Sequence, residues 1–254
     1  IINTVHNIDL HPGFDSYYAR LMMKVGMVFS HSFIVHGEIL KKNFSKKYNL
    51  PKSSIYVVPH GNYSNYNNYN LDFKEKRGTI LFFGNLTKYK GLKYLLQAIP
   101  LIKKVDIDFK VKIVYHGENI SNYKKYIKDN SNLVLENKFV QDKDLPKYFL
   151  ESSIVVAPYI EASQSGIISL AFNFGRPVIA TKVGSIPEIV KNNINGILIN
   201  PKDSKAIADS IIKLLKNNSL RIKMGEEAKK FSEKNQSWVE AAKATQIAYN
   251  GMVN

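Results

Sequence analysis

The chain has 254 residues, a formal net charge of +15 and no cysteine. Disulfide frameworks and thiolate metal centres are therefore excluded, and the composition agrees with a reducing, cytoplasmic setting. The charge favours an anionic partner, such as a phosphorylated ligand or an acidic membrane surface, over nucleic acid, because the lysines are spread along the chain and no nucleic-acid reader motif is present.

In chain order, Ile1 to His6 predicts a strand. It resembles the middle of a buried one, so further residues are expected ahead of it. Asn7 to Gly13 predicts the following loop, and Asp15 the cap of a helix over Ser16 to Phe29, with Leu21, Met22, Val25 and Phe29 on one face. Ser32 to Val35 and Ile55 to Val58 predict two more strands, separated by a lysine-rich helix over Gly37 to Tyr48 that stops before Pro51. This first alternation is too small to stand alone. Asn62 to Asn70, rich in asparagine and tyrosine, predicts a linker; the alternative is a tyrosine platform on which single-stranded nucleic acid stacks.

A second and complete alternation follows. Its predicted strands are Thr79 to Phe83, Phe109 to Tyr115, Leu133 to Leu135, Ile154 to Ala157, Val178 to Ala180 and Gly196 to Ile199. Between them lie predicted helices at Gly91 to Lys104, Ile120 to Asp129, Leu145 to Leu150, Ser165 to Phe174 and Ile186 to Val190. Such alternation implies an α/β fold with a doubly wound parallel sheet, whose ligands sit beyond the carboxyl ends of the strands. Asp203 to Leu215, Leu220 to Phe231 and Ser237 to Tyr249 predict three closing helices, and no apolar run is long enough to span a bilayer.

Two loops at the carboxyl edge carry the candidate chemistry. The first, Gly84 to Gly91, joins a strand to a helix; Lys88 and Lys90 either bring charge to a diphosphate or are plain surface cations, and the spacing is neither a P-loop nor a dinucleotide fingerprint. The second, Glu161 to Ser165, leads into a helix whose first amides form an anion site, with Glu161 at its mouth either as a ligand contact or as a solvated surface carboxylate. Asp106-Ile107-Asp108 lies at the wrong end of its strand to clamp a metal, and Asp142-Lys143-Asp144 reads as helix capping. The histidines have no metal-binding spacing; His6, at a strand's carboxyl end, is either structural or part of a site. No serine sits in a nucleophile elbow.

Taken together, Thr4-Val5-His6-Asn7, Val57 to Gly61, Phe83-Gly84 with Lys90-Gly91, Glu161 to Ala171, Gly175 to Thr181 and Val183 to Glu188 resemble the retaining glycosyltransferases of family 4, which have the GT-B fold of two Rossmann-like domains. The resemblance implies that residues 1–63 are the tail of an acceptor-side domain, 64–77 a linker, 78–234 the nucleotide-sugar donor domain and 235–254 a helix returning to the first domain. It implies a cytoplasmic hexosyltransferase with a nucleotide-sugar donor, a glycan or lipid-linked acceptor, a peripheral contact with an acidic membrane surface, no metal and no other cofactor. Glu161 and His6 match the groups that face the reacting sugar. Gly84, Lys90, Val140, Ser165, Gly166, Ile167, Ile168 and Ser169 fall at the donor-binding positions, Val140 at the base and the start of the helix at the phosphates, and Lys88 is expected to bind the donor by restoring the charge lost at Asn85. Two positions depart from the family pattern: Ser169 stands where a ribose-binding glutamate is usual, and Asn85 where an arginine is common. Residues 1–254 alone are expected to be inactive, and the alternative to transfer is a non-catalytic nucleotide-sugar binding module.

Overall fold

The computed structural model describes residues 1–251 except Asn7, residues 9–15, Asn70, Glu118 and Asp129, so the expected loop after His6 and the Asp15 cap lie outside the described residues. The elements in chain order are β1 (Ile2–Thr4), α1 (Tyr17–Val28), β2 (Ser32–Val35), α2 (Glu38–Tyr48), β3 (Ile55–Val57), β4 (Thr79–Leu86), α3 (Leu92–Ile102), β5 (Lys110–Gly117), α4 (Lys124–Ile127), β6 (Leu133–Asn137), α5 (Leu145–Leu150), β7 (Ile154–Ala157), α6 (Gly166–Asn173), β8 (Val178–Thr181), α7 (Ile186–Ile189), β9 (Gly196–Ile199), α8 (Ser204–Lys216), α9 (Asn218–Asn235) and α10 (Trp238–Asn250). They form two compact units, one of Ile1–Gly61 with Asn235–Asn254 and one of Asn62–Lys234.

In the first unit β1, β2 and β3 pair side by side as a parallel sheet. Alternate residues of β2 serve opposite faces, as the period of two demands. Phe33 and Val35 pack with Leu40 and Phe44 of α2, whereas Ile34 packs with Ala241 and Ala248 of α10. Both faces of this short sheet are thereby covered, as parallel strands require.

In the second unit six parallel strands run in the order β6-β5-β4-β7-β8-β9. Ile80 and Phe82 of β4 face a core shared with α3 and α8, while Leu81 faces a second core with α5 and α6. Strands β5 and β6 extend the sheet on one side of β4, and β7 to β9 on the other. The order therefore reverses between β4 and β7, and a doubly wound sheet opens a crevice beyond the carboxyl ends of the two strands at such a point.

The stretch after Asn62 differs from the expected linker. Ser64–Asn68 is a 3₁₀ helix with Tyr66 buried, and Tyr63, Tyr66 and Tyr69 follow one another with ring centroids 5.9 Å apart at each step. The Tyr66 hydroxyl donates to Asp142 at 3.1 Å, and Asn173 Nδ2 donates to Asn67 at 3.0 Å. Asp142 is thus a hydrogen-bond acceptor for this segment; no side-chain cap is made at the start of α5. Further on, Glu75 accepts from Ser153 at 2.6 Å and pairs with Arg221 at 2.7 Å and Arg176 at 3.3 Å.

Candidate functional site

The crevice at the β4/β7 reversal is built from the two loops that the motifs single out. Strand β4 runs further than the sequence predicts, to Leu86, so Gly84 lies inside it beside β5. Lys88–Lys90 then form a single 3₁₀ turn. Gly91 closes the turn with φ of 71°, a left-handed conformation that strains any residue with a side chain, and a Cβ there would fall 1.9 Å from the Pro158 carbonyl oxygen. The first loop is in this way clasped to the second, and Ile160 N–H donates to the Tyr89 carbonyl at 2.7 Å.

The second loop ends at the start of α6. Ser165 is the N-cap, its Oγ accepting from Ile168 N–H at 3.3 Å. At the other end Gly175 (φ 62°) completes a Schellman closure, its N–H bonding to Phe172 O and that of Arg176 to Ala171 O. The helix is therefore fixed at both termini, and its positive end faces the crevice. Tyr63 reaches the same point: a Cβ at Gly166 would lie 2.5 Å from its hydroxyl oxygen, so a side chain there would have to displace the tyrosine.

Lys90 is half-buried, with Nζ 4.2 Å from the centroid of the Tyr159 ring, whereas Lys88 is exposed. Glu161 is exposed at the mouth of the loop. The structure changes the reading of two residues. The N–H of Ile168 is already engaged by Ser165, which leaves the Gly166 and Ile167 amides at the helix start for an anion. Ser169 is only 2% exposed, so its short side chain is enclosed within the fold at this position. Tyr159 and Tyr63 complete the site, and neither stood out in the sequence, since a lone aromatic after a proline and one in a polar run carry no periodic signal.

Beside the loops a cavity of about 300 Å³ is lined by Phe83, Gly84, Tyr115, His116, Phe139 and Val140. Phe139 is 78% exposed and stands edge-on to His116, with centroids 6.3 Å apart. At its rim Glu136 accepts from Tyr148 at 2.8 Å and pairs with Lys112 and Lys138 at 2.9 and 3.0 Å. Burial works to raise its pKa, but these three partners outweigh it and bring the carboxyl down to about 2.

In the first unit His6 is exposed at the carboxyl end of its sheet, and the fold brings two further histidines to it. His36 follows β2 directly and His60 lies just past β3; the ring centroids are 5.0 Å apart for His6 and His36 and 5.7 Å for His36 and His60. The three line a cavity of about 620 Å³ with Trp238, Gln246 and Tyr249 of α10. His36 Nδ1 donates to the Val58 carbonyl at 3.0 Å, while its buried Nε2 has no hydrogen-bond partner among the described residues. Burial lowers the pKa of His36, the bond to Val58 opposes this, and repulsion from His6 and His60 adds to the lowering. The folded state thus holds fewer protons than the unfolded chain, whose histidine titrates near 6.5. Stability should be fully present above that pH and fall as the pH drops below it. Thermal denaturation of the intact protein between pH 8 and pH 5 should show the loss, and His36→Gln should flatten it.

Among the described residues no group of three or more histidine or acidic side chains is arranged to hold a metal ion, and no helix is long and apolar enough to cross a membrane.

A family model described as "Glycosyl transferases group 1" matches residues 77–217, more than half of the chain. An uncharacterized glycosyltransferase of Methanocaldococcus jannaschii is 28% identical over 92% of this chain. The chain spans 64% of that relative's length. Among solved structures, HepE of Anabaena in complex with UDP-glucose superposes with a TM-score of 0.80 at 15% identity, covering 99% of this chain and 71% of that one. TarM of S. aureus, in complex with UDP and alpha-GlcNAc-glycerol, gives a TM-score of 0.81 at 17% identity over 98% of this chain and 50% of that one. These likenesses show the fold, which is of the GT-B type.

Proposed function

Because the chain belongs to the glycosyl transferases group 1 family, we propose that it carries the donor-binding part of an enzyme that moves a hexosyl group from a nucleotide sugar to a hydroxyl of a glycan or lipid-linked acceptor, with retained configuration. The observation that carries this reading is the convergence of Lys90 and the α6 N-terminus on one crevice at the strand-order reversal. A diphosphate leaving group needs positive potential where its charge develops. Here Lys90, Lys88 and the amides of Gly166 and Ile167 supply it in advance, which is electrostatic preorganisation without covalent chemistry. The base would lie against Phe139, His116 and Val140 in the adjoining cavity. Glu161 would orient the sugar from the mouth of the second loop. The UDP-glucose bound to HepE supports a nucleotide-sugar donor. A cytoplasmic protein with a peripheral contact to acidic lipid suits the net charge of +15.

Thermal shift of the intact protein against nucleoside diphosphates and their sugars tests the reading. Stabilisation by at least one of them is expected, and Lys90→Ala should weaken that binding by about 1–3 kcal/mol, the range for a charge-assisted contact in a partly desolvated site. Unchanged affinity would return Lys90 to the solvated surface. The second reading, nucleotide-sugar binding without transfer, is favoured by the buried Ser169 in place of a ribose-binding glutamate. Tight donor binding with no turnover on any hydroxyl acceptor would select it.

A further inference from the structure

Tyr159 is 2% exposed and so cannot touch a ligand, yet its side chain meets both positive features of the proposed donor site. The face of its ring lies 4.2 Å from Lys90 Nζ. Its hydroxyl is 3.0 Å from Ser165 Oγ, the atom that caps α6 through Ile168 N–H. The backbone that carries the ring is fixed as well, since Thr181 Oγ1 donates to the Tyr159 carbonyl at 2.6 Å.

This arrangement does something that an ion pair could not. A carboxylate beside Lys90 would hold the ammonium but cancel its charge toward an incoming anion. The aromatic face attracts the cation through its quadrupole and leaves the full positive charge available. Lys90 makes no ion pair among the described residues. A lysine on a flexible stem otherwise loses rotamer freedom when it must meet a ligand, and the ring removes part of that loss beforehand.

We infer that Tyr159 is a positioning residue that holds Lys90 and the N-terminus of α6 in one fixed geometry for a diphosphate. This rests on the donor-site reading above.

The test is a double-mutant cycle by calorimetry of the intact protein, with UDP, GDP and ADP as probes. Tyr159→Leu should weaken binding of the nucleotide that binds the parent by roughly two- to thirtyfold, the span of a cation–π contact between exposed and desolvated sites. Tyr159→Phe, which keeps the ring, should lose no more than about threefold. In a Lys90→Ala background Tyr159→Leu should cost less than about twofold more, because the two act as one unit. A fully additive loss, or Phe no better than Leu, overturns the inference and leaves Tyr159 as packing alone. Should Tyr159→Leu fail to fold, Tyr159→Phe and Ser165→Ala carry the test: each breaks the same hydroxyl contact, so their losses must not add. A parent that binds none of the three nucleotides, or binds one equally well after Lys90→Ala, overturns the donor-site reading and this inference with it.

Discussion

Glu75→Ala should lower the stability of the second unit by about 2–4 kcal/mol, somewhat less than the 3–5 kcal/mol typical of breaking a fully buried pair. The discount reflects a Glu75 side chain that is 24% exposed. The cost arises because Arg221, with only 6% of its side chain exposed, and Arg176 would be left as uncompensated cations. The pKa of Arg176 is already lowered by burial, an effect that Glu75 opposes. Burial also works to raise the pKa of Glu75, but the hydrogen bonds from Ser153 and Arg221 and the charges of both arginines hold it below the ordinary value. Its contribution is therefore present above the unfolded carboxylate pKa and lost as the pH falls through the folded one. Urea denaturation at pH 7 followed by nucleotide binding would check the result. Glu75→Gln, which can keep the Ser153 bond, should lie between parent and alanine. Equal stability of all three would show that the network contributes nothing.

The other large effect is expected at Glu161. If Glu161 faces the reacting sugar as proposed, Glu161→Gln should reduce transfer by about a hundredfold while nucleotide binding changes by less than about threefold, since such a carboxylate acts mainly on the transition state. Its exposed position at the loop mouth leaves it free of packing duties, so folding should be unaffected. Ser169→Ala should behave in the opposite way. It lies in the core face of α6, so its removal should cost about 1 kcal/mol of stability, of the order of one neutral hydrogen bond, and leave turnover measurable. Steady-state transfer and donor binding, measured on both variants, separate the roles. Glu161→Gln turning over at the parental rate would remove it from the chemistry.

The strands of the second unit were legible because a strand buried on both faces reads as an unbroken apolar run, and Ile154–Ala157 and Gly196–Ile199 lie where those runs predict them. Lys90, Glu161 and the start of α6 were legible because each sits in a strand-to-helix loop at the carboxyl edge. Other features depended on distance in sequence. Three histidines, each just past a different strand, become neighbours only through the parallel register of β1, β2 and β3. Tyr159 looks like one more aromatic residue until the Lys90 and Ser165 contacts are seen. The continuation of β4 through Gly84 went unread because a glycine ordinarily ends such a run.

The tyrosines after Asn62 recur every third residue, and a 3₁₀ helix turns through 120° per residue. That match of period to geometry lines the three rings along one edge of the segment and fixes its length. One residue inserted between Tyr63 and Tyr66 would swing Tyr66 a third of a turn away from Asp142. Three would restore the angle but move Tyr66 about 6 Å along the axis, out of reach of Asp142. A low-complexity stretch usually tolerates changes in length, whereas here a single added residue would cost the Tyr66 contact with Asp142 and the Asn67 contact with Asn173.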